Sequence, residues 1–233
     1  MNFAEWEPAY EAVLDDFGFD RAADERARDV AADLASPFAL GKLDFLADAT
    51  VAVAGAGPSL AEPAELDRAH AADVVLAASS AADVLREDGV TVDLLVTDLD
   101  GHPETARKLS ESGVPVAAHA HGDNVSAVRE WLPKLDDEWT LATTQAEPTG
   151  PVRNFGGFTD GDRAAFLADH FGASELRFVG WDFGDPDVGP MKARKLTWAA
   201  RLLHWLEQRR GEEFGVLDGR RESLSMPWVA DDG

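Results

Sequence analysis

An α/β domain, with a mostly parallel sheet and helices on both faces, is what this sequence predicts. Two observations carry that reading. Short apolar runs recur at Val51–Ala54, Val74–Ala77, Val92–Val96, Val114–Ala118, Thr140–Thr143 and Leu176–Val179. Amphipathic stretches separate most of them, near Ala81–Arg86, Thr105–Ser110, Val125–Leu132 and Asp162–Phe171. Continuous apolar runs suit strands covered on both sides, and parallel neighbours need a helical crossover between them.

Before the first strand, residues 3–47 read as helical. Trp6, Tyr10, Val13, Leu14 and Phe17 keep helical spacing, and Gly18 is a natural stop. A second helix runs from Asp20 to Leu34, with Pro37 interrupting the chain beyond it. The Trp and Phe residues here read as packing anchors rather than a cofactor box. After the last strand, Met191–Arg210 forms a closing helix and a polar tail follows. The expected organisation is a helical extension over 1–48, an α/β domain over 49–210 and a tail over 211–233, without internal repeats.

The 233 residues, 45% hydrophobic, suffice for one sizeable core. No stretch approaches the roughly 18 apolar residues of a membrane span. The N-terminus, with Glu5, Glu7, Glu11, Asp15 and Asp16, is too acidic for a signal or transit peptide, so a cytoplasmic location is expected. The absence of cysteine excludes disulfides and Cys-ligated metals. Net charge is −23, from 44 acids against 21 bases, with the acids spread through every segment. Such a surface suits concentrated salt, where at about 1 M the Debye length is only about 3 Å and self-repulsion is screened. The melting temperature is therefore expected to rise across a KCl series, and a flat series would refute this reading. Nucleic-acid binding is not expected, since it needs a basic face. A homo-oligomer is compatible with the sequence but not specified by it.

In an open parallel sheet, ligands bind at the carboxyl ends of the strands. The third run ends in Thr97-Asp98-Leu99-Asp100-Gly101. If the chain bends at Gly101, both carboxylates converge, and paired hard oxygens suit Mg²⁺ shared with substrate phosphates. A solvated turn is the plain alternative. The first run ends in Gly55-Ala56-Gly57-Pro58-Ser59-Leu60, whose glycines would let backbone N–H groups approach an anion, with Ser59 and Glu62 capping a short helix. As a dinucleotide fingerprint it is poor, because the third Gly is missing and Pro63 shortens the helix. A tight strand-to-helix turn would look the same.

The fourth run ends in His119-Ala120-His121-Gly122-Asp123-Asn124. His-x-His-x-Asp is also a ligand pattern of zinc metallohydrolases, but further downstream ligands are wanting. The preferred reading has the imidazoles bonding phosphate or substrate and Asp123 on Mg²⁺. Next comes Asn154-Phe155-Gly156-Gly157-Phe158-Thr159-Asp160-Gly161-Asp162-Arg163, of which Thr159 or Asp160 serves as a helix cap. The last run ends in Gly180-Trp181-Asp182-Phe183-Gly184, where Asp182 beside apolar residues suits the paired donors of an amino-amidine ring edge, or simply packs as an aromatic corner. Finally, Pro190-Met191-Lys192-Ala193-Arg194-Lys195 places three cations at a helix N-terminus, against the macrodipole. Phosphate binding explains them; pairing with Asp185 and Asp187 is the alternative. Metal, glycine turns and one local basic cluster on an acidic body point to phosphoryl or diphosphoryl transfer.

At these residues the chain resembles the archaeal 6-hydroxymethyl-7,8-dihydropterin pyrophosphokinases, a family distantly similar to thiamine pyrophosphokinase catalytic domains. The segments that carry the resemblance are Gly55–Leu60, Thr97–Gly101, His119–Asn124, Gly157–Arg163 and Gly180–Gly184, with Lys195-Leu196 following. Trp181 departs from it, because a smaller apolar residue is expected there. The resemblance implies a Rossmann-like fold and Mg²⁺-dependent transfer of diphosphate from ATP to the hydroxymethyl group of a reduced pterin. AMP is released, within folate or methanopterin biosynthesis. On this reading Asp98, Asp100 and Asp123 hold Mg²⁺, and Lys192, Lys195 and Arg163 neutralise phosphate. Asp160 or Asp162 serves a second metal or takes the hydroxyl proton. Gly55, Gly57, Ser59, His119, His121 and Asn124 contact the nucleotide, and Asn154, Phe155 and Asp182 the pterin. A zinc hydrolase and a nucleotide-binding module without turnover are the rivals.

Overall fold

Six mostly apolar runs become the strands Thr50–Ala54 (β1), Val74–Ala78 (β2), Leu94–Thr97 (β3), Val116–Ala120 (β4), Thr140–Thr144 (β5) and Glu175–Val179 (β6), the last of which leaves Glu175 exposed. They pair in parallel in the order β5-β4-β3-β2-β1-β6. The structure is a computed structural model and describes residues 1–229. Its helices are Phe3–Phe17 (α1), Arg21–Leu34 (α2), Pro63–His70 (α3), Ala81–Glu87 (α4), Pro103–Glu111 (α5), Val125–Trp131 (α6), Asp160–His170 (α7) and Pro190–Arg210 (α8). The α/β class expected from the sequence is the class observed.

Alternate strand residues serve opposite faces. Val51, Val53, Leu76 and Val96 join a core with Trp6 and Tyr10 of α1, Phe166 of α7 and Leu203 of α8. Ala52, Ala54, Ala77 and Ala118 face the other way, against Ala27 and Ala31 of α2, Leu85 of α4 and Leu109 of α5. The small side chains on this second face admit close helix approach.

Local chemistry sets the element ends. Asn2 and Glu5 form a reciprocal cap on α1 (3.1 and 2.9 Å), and Gly18 ends it at φ 69°. Asp20 caps α2. Pro63 opens α3 at its first turn instead of shortening it, and the Ser59–Glu62 cap does not form. β3 begins later than its apolar run because Asp93 Oδ2 takes the Val75 N–H at 2.8 Å. β4 starts after Pro115 and continues through His119 and Ala120, which pair with Thr143 and Thr144. Beyond α8 the chain is less polar than its composition suggests, since Phe214 and Leu217 are buried. The Glu207 carboxylate holds that segment through the Phe214 N–H (2.7 Å) and Arg221 (3.0 Å). Residues 230–233 of the expected tail lie outside the described residues. Among the described residues no helix is long and apolar enough to cross a membrane.

Candidate active site

The chain does bend where the acids fall, but at Leu99 rather than at Gly101. Leu99 takes φ 64°, while Gly101 has no positive φ. The Leu99 N–H is held by Thr97 Oγ1 (3.0 Å) and the Asp100 N–H by Asp98 Oδ1 (3.3 Å). Burial alone would raise the Asp98 carboxyl. The polar groups of His121 and Asp100 beside it, with the charge of Arg163, instead hold it well below the usual carboxylate range. Asp100 is pushed up to about 6, chiefly by the neighbouring Asp98 carboxylate and then by burial. His121 Nε2 stands 3.5 Å from Asp98 Oδ2.

The pair lines a cavity of about 690 Å³ together with Asp160 and Arg163 at the start of α7 and Lys192 and Lys195 at the start of α8. Arg163 is buried and ion-pairs with Asp160 at 3.0 Å. Burial, reinforced by the charge of Asp98 and opposed by Arg163, raises Asp160 to about 7. Arg194 takes no part, because it pairs with Asp16 at 2.9 Å rather than with Asp185 or Asp187. A second cavity of about 460 Å³ adjoins the first and shares Asp100, His121 and Asp123 with it.

The other residues singled out from sequence are placed elsewhere, each for a visible reason. The N–H groups of Gly55 and Gly57 are spent on Val179 O and Gly180 O (both 2.9 Å), and that of Ser59 on Asp182 Oδ2 (2.9 Å). These three donors are therefore engaged within the fold and are not offered to an anion. A Cβ on Gly57 would lie 2.6 Å from Gly180 O, so this glycine serves close packing. Trp181 covers Gly55, packs against Gly161 and donates Nε1 to Val53 O at 2.9 Å. Trp181 and Asp182 thereby fill the crevice between β1 and β6, where the strand order reverses and a ligand would ordinarily enter.

His119 lies inside β4, so its side chain faces the core, 2% exposed, with Nδ1 3.0 Å from Thr143 Oγ1. Burial, with Arg163 and His121 adding to it, holds its imidazole well below the ordinary range. Asn124 ties two strand ends together, donating to Asp98 O (2.6 Å) and His119 O (2.7 Å). Asp162 closes the α7 capping box with Thr159 and is fully buried. Asn154 spends its amide on Ala146 O (2.9 Å) and the Gly156 N–H (2.8 Å). Phe155 packs on His170 and Phe171, with ring centroids 4.8 and 5.6 Å away.

Several cavity residues carried no sequence signal. Phe19, Asp20, Ala23 and Asp24 come from the α2 entrance, Ser79 from the end of β2 and Gln145 from the end of β5. Ser79, at φ 50°, is strained like Leu99 on the neighbouring strand, and paired outliers of this kind gather at functional sites. Among the described residues no group of three His, Asp or Glu side chains is arranged to hold a metal ion alone. The geometry therefore lends no support to a His-x-His-x-Asp zinc centre. Two adjacent carboxylates are the donor set that Mg²⁺ takes when substrate phosphates and water complete its shell.

Comparison with known proteins shows which family the chain resembles. Residues 31–188 match the family model described as 6-hydroxymethylpterin diphosphokinase MptE-like. A Methanothermobacter thermautotrophicus protein is 39% identical over 227 residues, spanning 89% of this chain and 96% of its own. One from Pyrococcus furiosus is 38% identical over 226 residues, 89% of this chain and 95% of its own. A third, from Methanocaldococcus jannaschii, is 31% identical over 239 residues, 92% of this chain and 99% of its own. All three are named 6-hydroxymethyl-7,8-dihydropterin pyrophosphokinase. With the family model spanning more than half the chain and relatives matching along most of it, the chain belongs to the 6-hydroxymethylpterin diphosphokinase MptE-like family.

Proposed function

We propose that the protein transfers a diphosphoryl group from ATP to the hydroxymethyl group of 6-hydroxymethyl-7,8-dihydropterin, releasing AMP. The observation that carries this reading is that the carboxylate pair Asp98/Asp100 lines one cavity with Arg163, Lys192 and Lys195. The substrate names come from the relatives. The two cavities meeting at Asp100, His121 and Asp123 would house two flat rings, with the transferred group between them.

In the reaction the pterin hydroxyl oxygen bonds to the β-phosphorus of ATP. The bond from that phosphorus to the oxygen bridging the α-phosphorus breaks, and AMP leaves. Arg163, Lys192 and Lys195 bind the polyphosphate and offset negative charge as it shifts toward the leaving oxygen. Asp160, which lines the cavity and whose carboxyl burial raises to about 7, accepts the hydroxyl proton. Asp98 and Asp100 would hold Mg²⁺, with Asp123 at the cavity rim beside them; the ion would draw charge from the phosphate oxygens and align them.

Incubation with ATP, Mg²⁺ and the reduced pterin, followed by separation of products, tests this. Equal amounts of AMP and pterin diphosphate are expected, and none after chelation. Release of ADP, or of AMP without acceptor, would overturn the reading. Lys195→Met is expected to lower kcat/KM for ATP by about 10- to 100-fold, the worth of one charge-assisted contact. An unchanged value would remove Lys195 from the phosphate site.

A further inference from the structure

Helix α2 belongs to no motif, yet it places a buried carboxylate against the cavity. Asp24 is 4% exposed. Its Oδ1 accepts the Gly122 N–H at 2.7 Å, and its Oδ2 accepts Tyr10 Oη and Gln145 Nε2, both at 2.8 Å. Gln145 Oε1 then accepts Arg163 Nη2 at 3.1 Å, and Arg163 Nη1 reaches Asp160 at 3.0 Å. With both oxygens engaged by three donors, Asp24 is poorly placed to serve as a metal ligand or a base.

We propose that Asp24 is a positioning residue for the diphosphoryl transfer, fixing the His121–Asp123 loop directly and the Arg163 guanidinium through Gln145. The inference rests on the functional reading above and adds a residue to it. Two physical facts support it. A carboxamide held between a carboxylate and a guanidinium has only one satisfied orientation, with its NH₂ toward the acid and its oxygen toward the cation. Asp24 thus decides that Gln145 offers Arg163 an acceptor. Gly122 is the second fact: a Cβ there would lie 2.7 Å from Ala23 Cβ, so the loop rests directly on α2.

Replacing the carboxylate by an amide removes the orientation lock, because an amide side chain at this position can either donate or accept. Gln145 can then turn its NH₂ on Arg163. Displacing a charge-neutralising group by even about 1 Å costs up to about 100-fold in rate.

The test uses the full chain and four variants. Asp24→Asn is expected to lower kcat about 10- to 100-fold, with a smaller change in KM for ATP. Adding Gln145→Glu to it should restore at least about half of that loss on a logarithmic scale. In the pair, the amide introduced on α2 donates its NH₂ to the carboxylate introduced after β5, whose other oxygen accepts Arg163. Leu217→Ala, a remote buried position, should lower the melting temperature while leaving kcat unchanged. Asp24→Ala, read by hydrogen exchange, should speed exchange of the Gly122 amide at least about tenfold. Three results would overturn the proposal: Asp24→Asn with kcat within twofold of the parent, a pair no more active than Asp24→Asn, or unchanged Gly122 exchange. Parent protein that forms no AMP would refute the functional reading and the catalytic part of this inference with it, while the exchange measurement still decides whether Asp24 braces the loop.

Discussion

Asp98→Asn is expected to lower kcat by at least about 100-fold, the scale seen when one preorganised electrostatic group is removed from a reacting centre. Asn has nearly the same shape, and its Oδ1 can still accept the Asp100 N–H that Asp98 accepts at 3.3 Å. The turn after β3 should therefore survive. What is lost is the charge that stays ionised beside His121 and keeps Asp100 elevated. Steady-state AMP formation, with circular dichroism and thermal melts run alongside, separates lost chemistry from lost fold. A variant that keeps its turnover would remove the carboxylate pair from the mechanism.

Trp6→Ala should be the most damaging of the simple core substitutions, costing about 3–5 kcal/mol. Trp6 is fully buried in α1, packs 6.4 Å from the Phe166 ring and donates Nε1 to Gln145 O at 2.9 Å. Domains of this kind are stable by only about 5–15 kcal/mol, so one side chain carries a large share. For a chain of this length the melting temperature should fall by roughly 6–20 °C at constant salt. A fall of less than about 2 °C would mean that α1 contributes little to the common core. Because Trp6 also holds the Gln145 backbone, the surviving folded fraction should lose activity as well.

Much of this layout was readable from residue order alone. The runs that become β1 to β5 announce themselves because strands buried on both faces are largely apolar, whereas the edge strand β6 carries Glu175 and Arg177 and reads less clearly. Asp98, Asp100, Lys192 and Lys195 stood out because charge at a strand end or helix entrance serves no packing purpose. Asp24, Gln145 and Ser79 were illegible, since each owes its place to an element distant in sequence. Tyr10, Gly122 and Gln145 must all arrive before Asp24 is more than a surface acid of α2. The Gly55–Ser59 turn is ambiguous for the converse reason. Glycine admits a phosphate and a neighbouring backbone equally well, and only the fold reveals that Gly180 and Asp182 occupy the space. His119 turned on strand length: two further ladder positions carried its ring from an expected loop tip into the sheet.

Leu99 has a bearing on where this machinery can operate. A left-handed leucine costs about 1–2 kcal/mol, and burying its side chain returns about 1.5–3 kcal/mol. A greasy anchor thus keeps the kinked peptide in place beneath two acids whose own mutual repulsion shifts with every change of counterion. Brine blunts Coulomb forces but leaves apolar attachment intact, and excluded salts tighten it. The spacing of the acids should hold steady over ionic strengths that reshape the electrostatics of the whole exterior.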